Sequence, residues 1–441
     1  MTTVPFRSKQ SAIGILRKLL PAAGDRAPLS AMLEIADRCN EVCVHCYQVQ
    51  GQKGELPTED WRRILDELAD MGVLFLTLSG GEATLRKDFI ELVAHARRRG
   101  FAVKIFTNGL SMTDELAQAL ADLAVQEVQI TLYSPRAEVH DWVTRVPGSF
   151  EKVLAGARAL RTRDVAVVLK TPLMSFNVED RHAYVALARE LDTDFMLDPG
   201  LDAREDGDRN PQQFSISHDQ WKAVQVDEKL GRKSQRGGPL EPALDSAPCG
   251  ACTAGVHIEP NGEMRPCGQL DTSVGHAVKD GVEASWYRNP QAREIRALKW
   301  RDLHGCRDCD LQPYCHRCYA SARREAGDAL GPYRSACDHA RLRYELRHGV
   351  APTARAGEGV ERDLSVGPYS LGEDHQIVTR PDTLTSADLE RRERLAWAKG
   401  EPSAAPASAS PGQLVQIRRP GLKKSEWEAV PRAYESDGVS R

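Results

Sequence analysis

Eleven cysteines, gathered in two groups, constrain this chain more than any other feature of its 441 residues. Three lie within residues 39–46 and eight within 249–337, while the first 38 and the last 104 residues have none. Clustered thiols in a chain without a secretory signal indicate metal or redox sites rather than structural disulfides. The apolar run Ala12–Leu20 does not have the form of such a signal, because Arg17 and Lys18 interrupt it. We therefore expect a reducing compartment, the cytoplasm.

Between residues 31 and 200, short β-rich segments alternate with amphipathic helical patterns such as Glu59–Met71, for which Thr58 is the predicted N-cap. This alternation predicts an α/β layer or open barrel around a parallel sheet, with the chemistry beyond the carboxyl ends of the strands. The predicted strands are Ala31–Ala36, Val73–Leu78, Ala102–Phe106, Val128–Leu132, Val165–Lys170 and Phe195–Leu197.

The remaining parts of the chain differ in composition. We predict an N-terminal extension over 1–30, a core over 31–200, a linker over 201–248, a cysteine-rich domain over 249–345 and a tail over 346–441. Within the tail, Thr385–Ala398 has a helical pattern, and the low-complexity segment Ser403–Pro411 indicates disorder. The net charge of −4 gives no sign of a nucleic-acid partner, and the lack of a run of 18 apolar residues predicts no membrane span.

The first cysteine group directly follows the first predicted strand. Cys39, Cys43 and Cys46 supply three thiolates, which would leave one iron of a four-iron cluster open to chemistry. A zinc site that adds His45 is the alternative, but the adjacent His45 and Cys46 are poorly placed to bind one tetrahedral ion. A thioredoxin-like pair would leave the third cysteine without a role.

The Cys-x₃-Cys-x₂-Cys spacing after the first strand resembles the signature of the radical S-adenosylmethionine (SAM) superfamily. The resemblance implies a partial (β/α)6 barrel and a catalytic [4Fe-4S] cluster on Cys39, Cys43 and Cys46. In that family the open iron binds SAM, and one electron cleaves it to a 5′-deoxyadenosyl radical that abstracts hydrogen from the substrate. His45 stands where the family usually has an aromatic residue near the adenine.

Motifs at the ends of the next strands extend the resemblance. Ser79-Gly80-Gly81-Glu82 resembles the Gly-Gly-Glu motif of the family, in which the glycines let the backbone approach SAM and the glutamate meets its ammonium group. Ordinary turns and polar strand ends would explain the later motifs equally well. The resemblance implies further SAM contacts from Asn108, Thr131, Ser134 and Arg145.

The second cysteine group supplies enough thiolates for two Cys₄ sites; its members are Cys249, Cys252, Cys267, Cys306, Cys309, Cys315, Cys318 and Cys337. Two zinc ribbons are the alternative. The pattern resembles the SPASM accessory domain, with Gly262 in the turn of its β-hairpin. That resemblance implies two more [4Fe-4S] clusters, one on Cys249, Cys252, Cys267 and Cys318 and the other on Cys306, Cys309, Cys315 and Cys337. One departure is that only His316 and Arg317 separate Cys315 from Cys318, where the family usually has three residues.

Members with this accessory domain mostly modify peptides or proteins, so we expect an oxidoreductase that matures a ribosomally made peptide. Its expected partners are a peptide or protein substrate, a separate leader-recognition protein and a flavodoxin- or ferredoxin-type reductant. A radical SAM enzyme of cofactor or tetrapyrrole synthesis and a non-catalytic iron–sulfur electron carrier are the alternatives. Sulfatase maturation is disfavoured, because Gly268 follows the third accessory cysteine where those enzymes typically have Asp.

Overall fold

The computed structural model describes residues 27–352 other than 207, 209 and 231–242, and the backbone of two short strands further on, Tyr369–Leu371 and Ile377–Thr379. Almost all of the predicted N-terminal extension, the predicted helix Thr385–Ala398 and the low-complexity segment Ser403–Pro411 lie outside the described residues. No helix in the described part of the chain is both long and apolar enough to cross a membrane.

Six parallel strands form the centre of the fold and pair with one another in chain order. Each strand is followed by a helical connection, so the predicted α/β core is confirmed. The carboxyl ends of these strands meet at one edge of the sheet. The strands are β1 (Ser30–Ala36), β2 (Phe75–Gly80), β3 (Ala102–Thr107), β4 (Glu127–Thr131), β5 (Val167–Pro172) and β6 (Asp194–Asp198).

Helices pack against one face of this sheet. The side chains that make this contact are the apolar ones that recur at helical spacing. The first of them begins at Thr58 after Pro57, so the predicted N-cap was wrong by one residue. Thr58 Oγ1 instead donates to Asp88 Oδ2 over 2.6 Å, which joins the starts of two helices. The helices are α1 (Thr58–Asp70), α2 (Phe89–Arg98), α3 (Asp114–Asp122), α4 (Ala137–Thr144), α5 (Ser149–Arg161) and α6 (Arg181–Glu190).

The predicted hairpin of the cysteine-rich region joins the same sheet. Strand β7 (Gly255–Ile258) pairs in parallel with β1 and antiparallel with β8 (Met264–Arg265), which extends the sheet to eight strands. Gly262 makes the turn with a φ of +91°, a conformation that favours glycine. The hairpin is therefore an extension of the core sheet, which its sequence did not predict.

The other helices lie C-terminal to the six-stranded core. Trp221 in the first of them is buried and stacks on His339 with ring centroids 4.4 Å apart, so this part of the predicted linker packs against the last helix. The described residues belong to one compact unit. These helices are α7 (His218–Val226), α8 (Val282–Arg288), α9 (Pro290–Ala297), α10 (Tyr319–Ala326) and α11 (Arg334–His348).

Candidate active site

The first three cysteines lie on the loop that leaves the carboxyl end of β1, and each is partly buried. Tyr133 Oη donates to Cys43 Sγ over 3.3 Å, and Asn108 Nδ2 donates to Cys39 Sγ over 3.7 Å. Burial raises the pKa of Cys39 to about 12 and also raises that of Cys43, and the nearby Cys46 adds to both shifts. Three partly buried thiols on one loop become thiolates when a cationic group binds them, so this donor set fits an iron–sulfur cluster.

The backbone of helix α4 and the carboxylate of Asp37 hold this cysteine loop in place. Val42 N donates to Thr144 O over 3.2 Å, and Val44 N donates to Val143 O over 3.0 Å. On the return of the loop, the amides of residues 53 and 54 donate to Asp37 Oδ2 over 2.7 and 2.9 Å. The shape of the loop is therefore determined by contacts on both sides of the three thiols.

Gly80 and Gly81 bring the end of β2 against the chain segment that leads into Cys39. Gly81 N donates to Ala36 O over 2.8 Å. A Cβ on Gly80 would stand 2.3 Å from Ala36 O, and one on Gly81 would stand 2.4 Å from Arg38 O. The observed reason for these glycines is thus close approach to the backbone of the cysteine loop, whereas approach to SAM stays a prediction.

Glu82 is buried and joins the ends of β2 and β3. Its Oε2 accepts from Asn108 N over 2.7 Å, and its Oε1 accepts from Thr107 Oγ1 over 2.8 Å. Thr84 adds two further donors to Oε1, its amide at 3.1 Å and its hydroxyl at 2.6 Å. Burial raises the pKa of Glu82, and these four hydrogen bonds lower it. The carboxylate therefore organises the loops around the thiols, and its contact with the SAM ammonium stays a prediction.

We expect Glu82→Gln to lower the free energy of unfolding by about 2 kcal/mol. The amide NH₂ group of glutamine would face donors that now meet a carboxylate oxygen, and an unsatisfied buried donor costs about 1–3 kcal/mol. Anaerobic chemical denaturation measures the change. Glu115→Gln, in the exposed first turn of α3, is the matched control and should stay within about 0.5 kcal/mol of the parent. Equal losses in the two variants would contradict the assigned role of Glu82.

Asn108 contacts the cysteine loop, and His45 is part of that loop. Asn108 Nδ2 donates to Asn40 Oδ1 over 2.7 Å. The ring of His45 meets that of Tyr133 edge-on with centroids 4.8 Å apart. Burial lowers the pKa of His45 to about 4, so its imidazole is neutral at physiological pH. A neutral, flat ring is suited to contact an adenine, but that contact stays a prediction.

The other three predicted SAM contacts have different surroundings. Thr131 ends β4 and is half-buried. Ser134 is fully buried, and its hydroxyl donates to Asp180 Oδ2 over 3.3 Å. Arg145 is exposed at the end of α4, where its guanidinium lies 5.0 Å from the centre of the Trp142 ring. The structure therefore shows Ser134 engaged within the fold and Arg145 on the surface, and the SAM roles of all three stay predictions.

The eight accessory cysteines come together in two sets of four. Burial is the largest influence that raises the pKa of six of them, and neighbouring thiols of the same set raise it further; the six are Cys249, Cys252, Cys267, Cys309, Cys315 and Cys337. We call these the first set (Cys249, Cys252, Cys267 and Cys318) and the second set (Cys306, Cys309, Cys315 and Cys337). No three His, Cys, Asp or Glu side chains in the described chain are arranged to hold a single metal ion.

A polar network that sequence reasoning missed lies where the cysteine loop meets the hairpin. In β1, Leu33 and Ile35 belong to the hydrophobic core, so Glu34 between them faces the side of the sheet opposite the helices. Tyr47 Oη donates to Glu34 Oε1 over 3.4 Å, and His257 Nε2 lies 3.6 Å from the same oxygen. A glutamate inside an otherwise apolar strand was the available signal. The network also includes Gln48, Lys53, Glu205, Glu259 and Arg265.

Burial raises the pKa of Glu34 to about 7, helped by Glu205 and Glu259 and opposed by Lys53 and Gln48. Its usual pKa is near 4.5, so the folded protein holds this proton more tightly than the unfolded chain does. Proton binding at Glu34 therefore makes its full contribution to the free energy of unfolding below about pH 4.5. This contribution is lost as the pH rises through about 7.

We therefore expect Glu34→Gln, which resembles the protonated side chain, to gain stability relative to the parent as the pH rises. Between pH 5 and pH 8 the difference in unfolding free energy should change by about 2.5 kcal/mol. Denaturation at several pH values measures it, and the pH 5 value serves as the internal control for lost hydrogen bonds. Parallel stability curves for the two proteins would rule out an elevated pKa at Glu34.

Two protein-family models match this chain. The Radical SAM superfamily matches residues 33–188, and the Iron-sulfur cluster-binding domain called SPASM matches residues 249–319. The first match contains the cysteine loop, Gly80–Glu82 and most of the six-stranded core, and the second contains the hairpin. The chain belongs to the radical SAM superfamily. Within it, this protein is one of the members that carry a SPASM domain, and SAM and iron–sulfur clusters are its cofactors.

Curated relatives of two kinds align with most of the described chain. An AdoMet-dependent heme synthase of Methanosarcina barkeri is 27% identical over 332 residues, which cover 69% of this chain and 95% of that protein. A PqqA peptide cyclase of Xanthomonas campestris pv. campestris is 29% identical over 320 residues, which cover 68% of this chain and 85% of that protein. The predicted enzyme class is confirmed by these relatives.

Solved structures share the fold at lower identity. Streptococcus suis SuiB bound to its precursor peptide SuiA superposes with a TM-score of 0.56 at 18% identity and covers 74% of this chain and 79% of its own. Native anSMEcpe with bound AdoMet and a peptide also gives a TM-score of 0.56 at 18% identity and covers 72% of this chain and 96% of its own. The partial barrel with an accessory domain is thus confirmed.

Proposed function

We propose that this protein is an oxidoreductase that uses SAM and three [4Fe-4S] clusters to modify a peptide or protein oxidatively. The observation that carries the proposal is the loop of three partly buried cysteines at the carboxyl end of β1, with Gly80 and Gly81 packed beside it. An electron carrier would have no need of a three-thiol loop in this setting. The two sets of accessory thiols supply what two further clusters require.

Each group of thiols has a proposed ligand role. Cys39, Cys43 and Cys46 would hold the catalytic cluster, and the first and second sets would each hold one accessory cluster. When bound, these groups and SAM supply electron transfer and abstraction of a hydrogen atom from the substrate. Around them, the phenol of Tyr133 donates to Cys43 Sγ, and Asn108 donates to Cys39 Sγ. These two donors orient the thiols and would stabilise the negative charge of the thiolates.

A peptide is the substrate class that we propose first. The PqqA peptide cyclases are relatives over most of the described chain, and the similar folds of SuiB and anSMEcpe hold peptides. The heme synthase relative supports a second candidate, a tetrapyrrole substrate, because 95% of its length aligns with this chain. A separate leader-recognition protein, a flavodoxin- or ferredoxin-type reductant and a cytoplasmic location complete the proposal.

The two candidates can be separated in one anaerobic experiment. The reconstituted protein is given SAM, a reductant and, in separate reactions, synthetic peptides from short reading frames beside its gene or a propionate-bearing tetrapyrrole. The peptide proposal predicts a product lighter by two hydrogen atoms together with increased 5′-deoxyadenosine. Conversion of the tetrapyrrole alone would favour the second candidate. Failure to form 5′-deoxyadenosine in any reaction would refute both.

A further inference from the structure

Arg317 is a buried cation in the loop between the two sets of accessory thiols. It stands between Cys315, a member of the second set, and Cys318, a member of the first set. Only 6% of the residue is exposed. Its guanidinium carbon lies 5.7 Å from the ring centres of both Tyr319 and Tyr333, so two aromatic rings enclose the charge.

The guanidinium has donors left over. Nη2 donates to the carbonyl oxygen of Gly331, whereas Nε and Nη1 are buried with no nitrogen or oxygen acceptor among the described residues, and the Cys306 thiol is the group that interacts most strongly with the charge. After burial, the largest influences on Arg317 come from Cys306, Tyr333 and Tyr319, and none of these three is a carboxylate. A buried charge is costly unless an opposite charge and acceptors offset the lost hydration. Since bound clusters and their thiolates are anionic, they are the groups that would offset it.

Arg317 lies between the two sets: it is adjacent to Cys318 and two residues from Cys315, and Tyr333, whose ring packs against the guanidinium, accepts from Cys318 N over 2.8 Å. Burial is the largest influence on Cys249 and Cys306 and raises their pKa values, while the guanidinium of Arg317 lowers both. The same holds for Cys315, whose pKa is raised by burial and by its neighbour Cys306 and lowered by Arg317. Cys249 belongs to the first set, and Cys306 and Cys315 belong to the second. One charge therefore faces both accessory sites.

We propose that Arg317 is a shared electrostatic regulator of the two accessory clusters. A fixed positive charge favours the reduced state of each cluster, because reduction adds one negative charge next to it. Arg317 thus raises both reduction potentials together and helps both clusters accept an electron. This inference rests on the proposed cluster assignment and assigns a function to the short Cys315–Cys318 spacing, which departs from the usual family pattern.

The test uses the full-length chain in which Cys39, Cys43 and Cys46 are all replaced by alanine, so that only accessory clusters remain. Iron content is measured first, followed by an equilibrium redox titration monitored by electron paramagnetic resonance. Arg317→Met should lower the reduction equilibrium constant of each cluster at least tenfold, which for one electron corresponds to about 59 mV. Arg317→Lys keeps the charge and should stay close to the parent.

Arg343→Met is the matched control. Arg343 lowers the pKa of Cys315, which burial and Cys306 raise, and it donates to Tyr314 O over 2.9 Å, so its replacement should shift one cluster only. If the parent chain binds fewer than about eight irons, the content of two four-iron clusters, the proposed function fails and not this inference. A shift confined to one cluster, or none, in Arg317→Met with full iron content would overturn the inference.

Arg317→Gln is a second neutral variant, for use if Arg317→Met loses iron. Glutamine keeps a polar donor in the same pocket, so a matching fall of both potentials in this variant would support the inference. If both neutral variants lose iron while Arg317→Lys keeps its full iron content, the positive charge of residue 317 is needed for cluster assembly. That result would also overturn the inference.

Discussion

Replacing Cys43 with alanine should abolish formation of 5′-deoxyadenosine from SAM. Cys43 is the central residue of the three-thiol loop, and two ligands cannot hold the catalytic cluster in place. The iron content should fall from about twelve to about eight atoms per chain, the change expected for loss of one four-iron cluster. Anaerobic reconstitution, iron analysis and chromatography of the nucleoside measure both effects, and the rate should drop at least about 1,000-fold, to the level of SAM with reductant alone.

The matched control for this prediction is Cys309→Ala in the second set. It should also lose about four irons, but it should still cleave SAM, because the cysteine loop on β1 is unchanged. The contrast separates a catalytic cluster from an accessory one. Undiminished 5′-deoxyadenosine in Cys43→Ala would remove the loop from the chemistry.

Gly81→Ala should disrupt the same cluster although it replaces none of the proposed ligands. Its Cβ would stand 2.4 Å from Arg38 O and 2.7 Å from Arg38 C, and backbone atoms of a loop held on both sides cannot move aside without displacing Cys39. Overpacking of this kind costs about 1–3 kcal/mol. We expect loss of about four irons, with SAM cleavage reduced at least about 100-fold.

Gly100→Ala distinguishes crowding from backbone strain. Gly100 has a φ of +89°, yet a Cβ there would meet no atom within 4 Å. Alanine at that position should cost about 1 kcal/mol from its left-handed backbone and leave the iron content unchanged. Both stability and iron content should be measured for the two variants. If Gly81→Ala behaves like Gly100→Ala, the close approach of β2 to the cysteine loop is not needed for cluster binding.

Local patterns predicted the core and the positions of the thiols well. The alternation of buried strands and amphipathic helices led directly to six parallel strands, because each pattern depends only on nearby residues. The spacing of Cys39, Cys43 and Cys46 after β1 likewise predicted one loop. The resemblance to the SPASM hairpin placed Gly262 in a turn, and the structure confirms that turn, with a positive φ at Gly262.

What sequence could not predict depends on contacts between distant residues. Strand β7 has four residues, and nothing in Gly255–Ile258 indicates that it pairs with Ser30–Leu33, more than 220 positions earlier. The glycines beside Glu82 were interpreted through a ligand, whereas their tight neighbours are backbone atoms of Ala36 and Arg38. Arg317 was noted only as a spacing anomaly, because its burial follows from packing among helices and loops brought together by the fold.

The pairing of β7 with β1 limits how this architecture can be divided. The regions that the two family models match are joined by hydrogen bonds between β1 and β7. The boundary between the two families is therefore not a boundary between independently folding domains. A chain cut before residue 249 would leave the β1 edge as an open row of peptide groups, a template for association with other chains. Swapping accessory domains among relatives should therefore succeed only when the incoming hairpin preserves its register against β1.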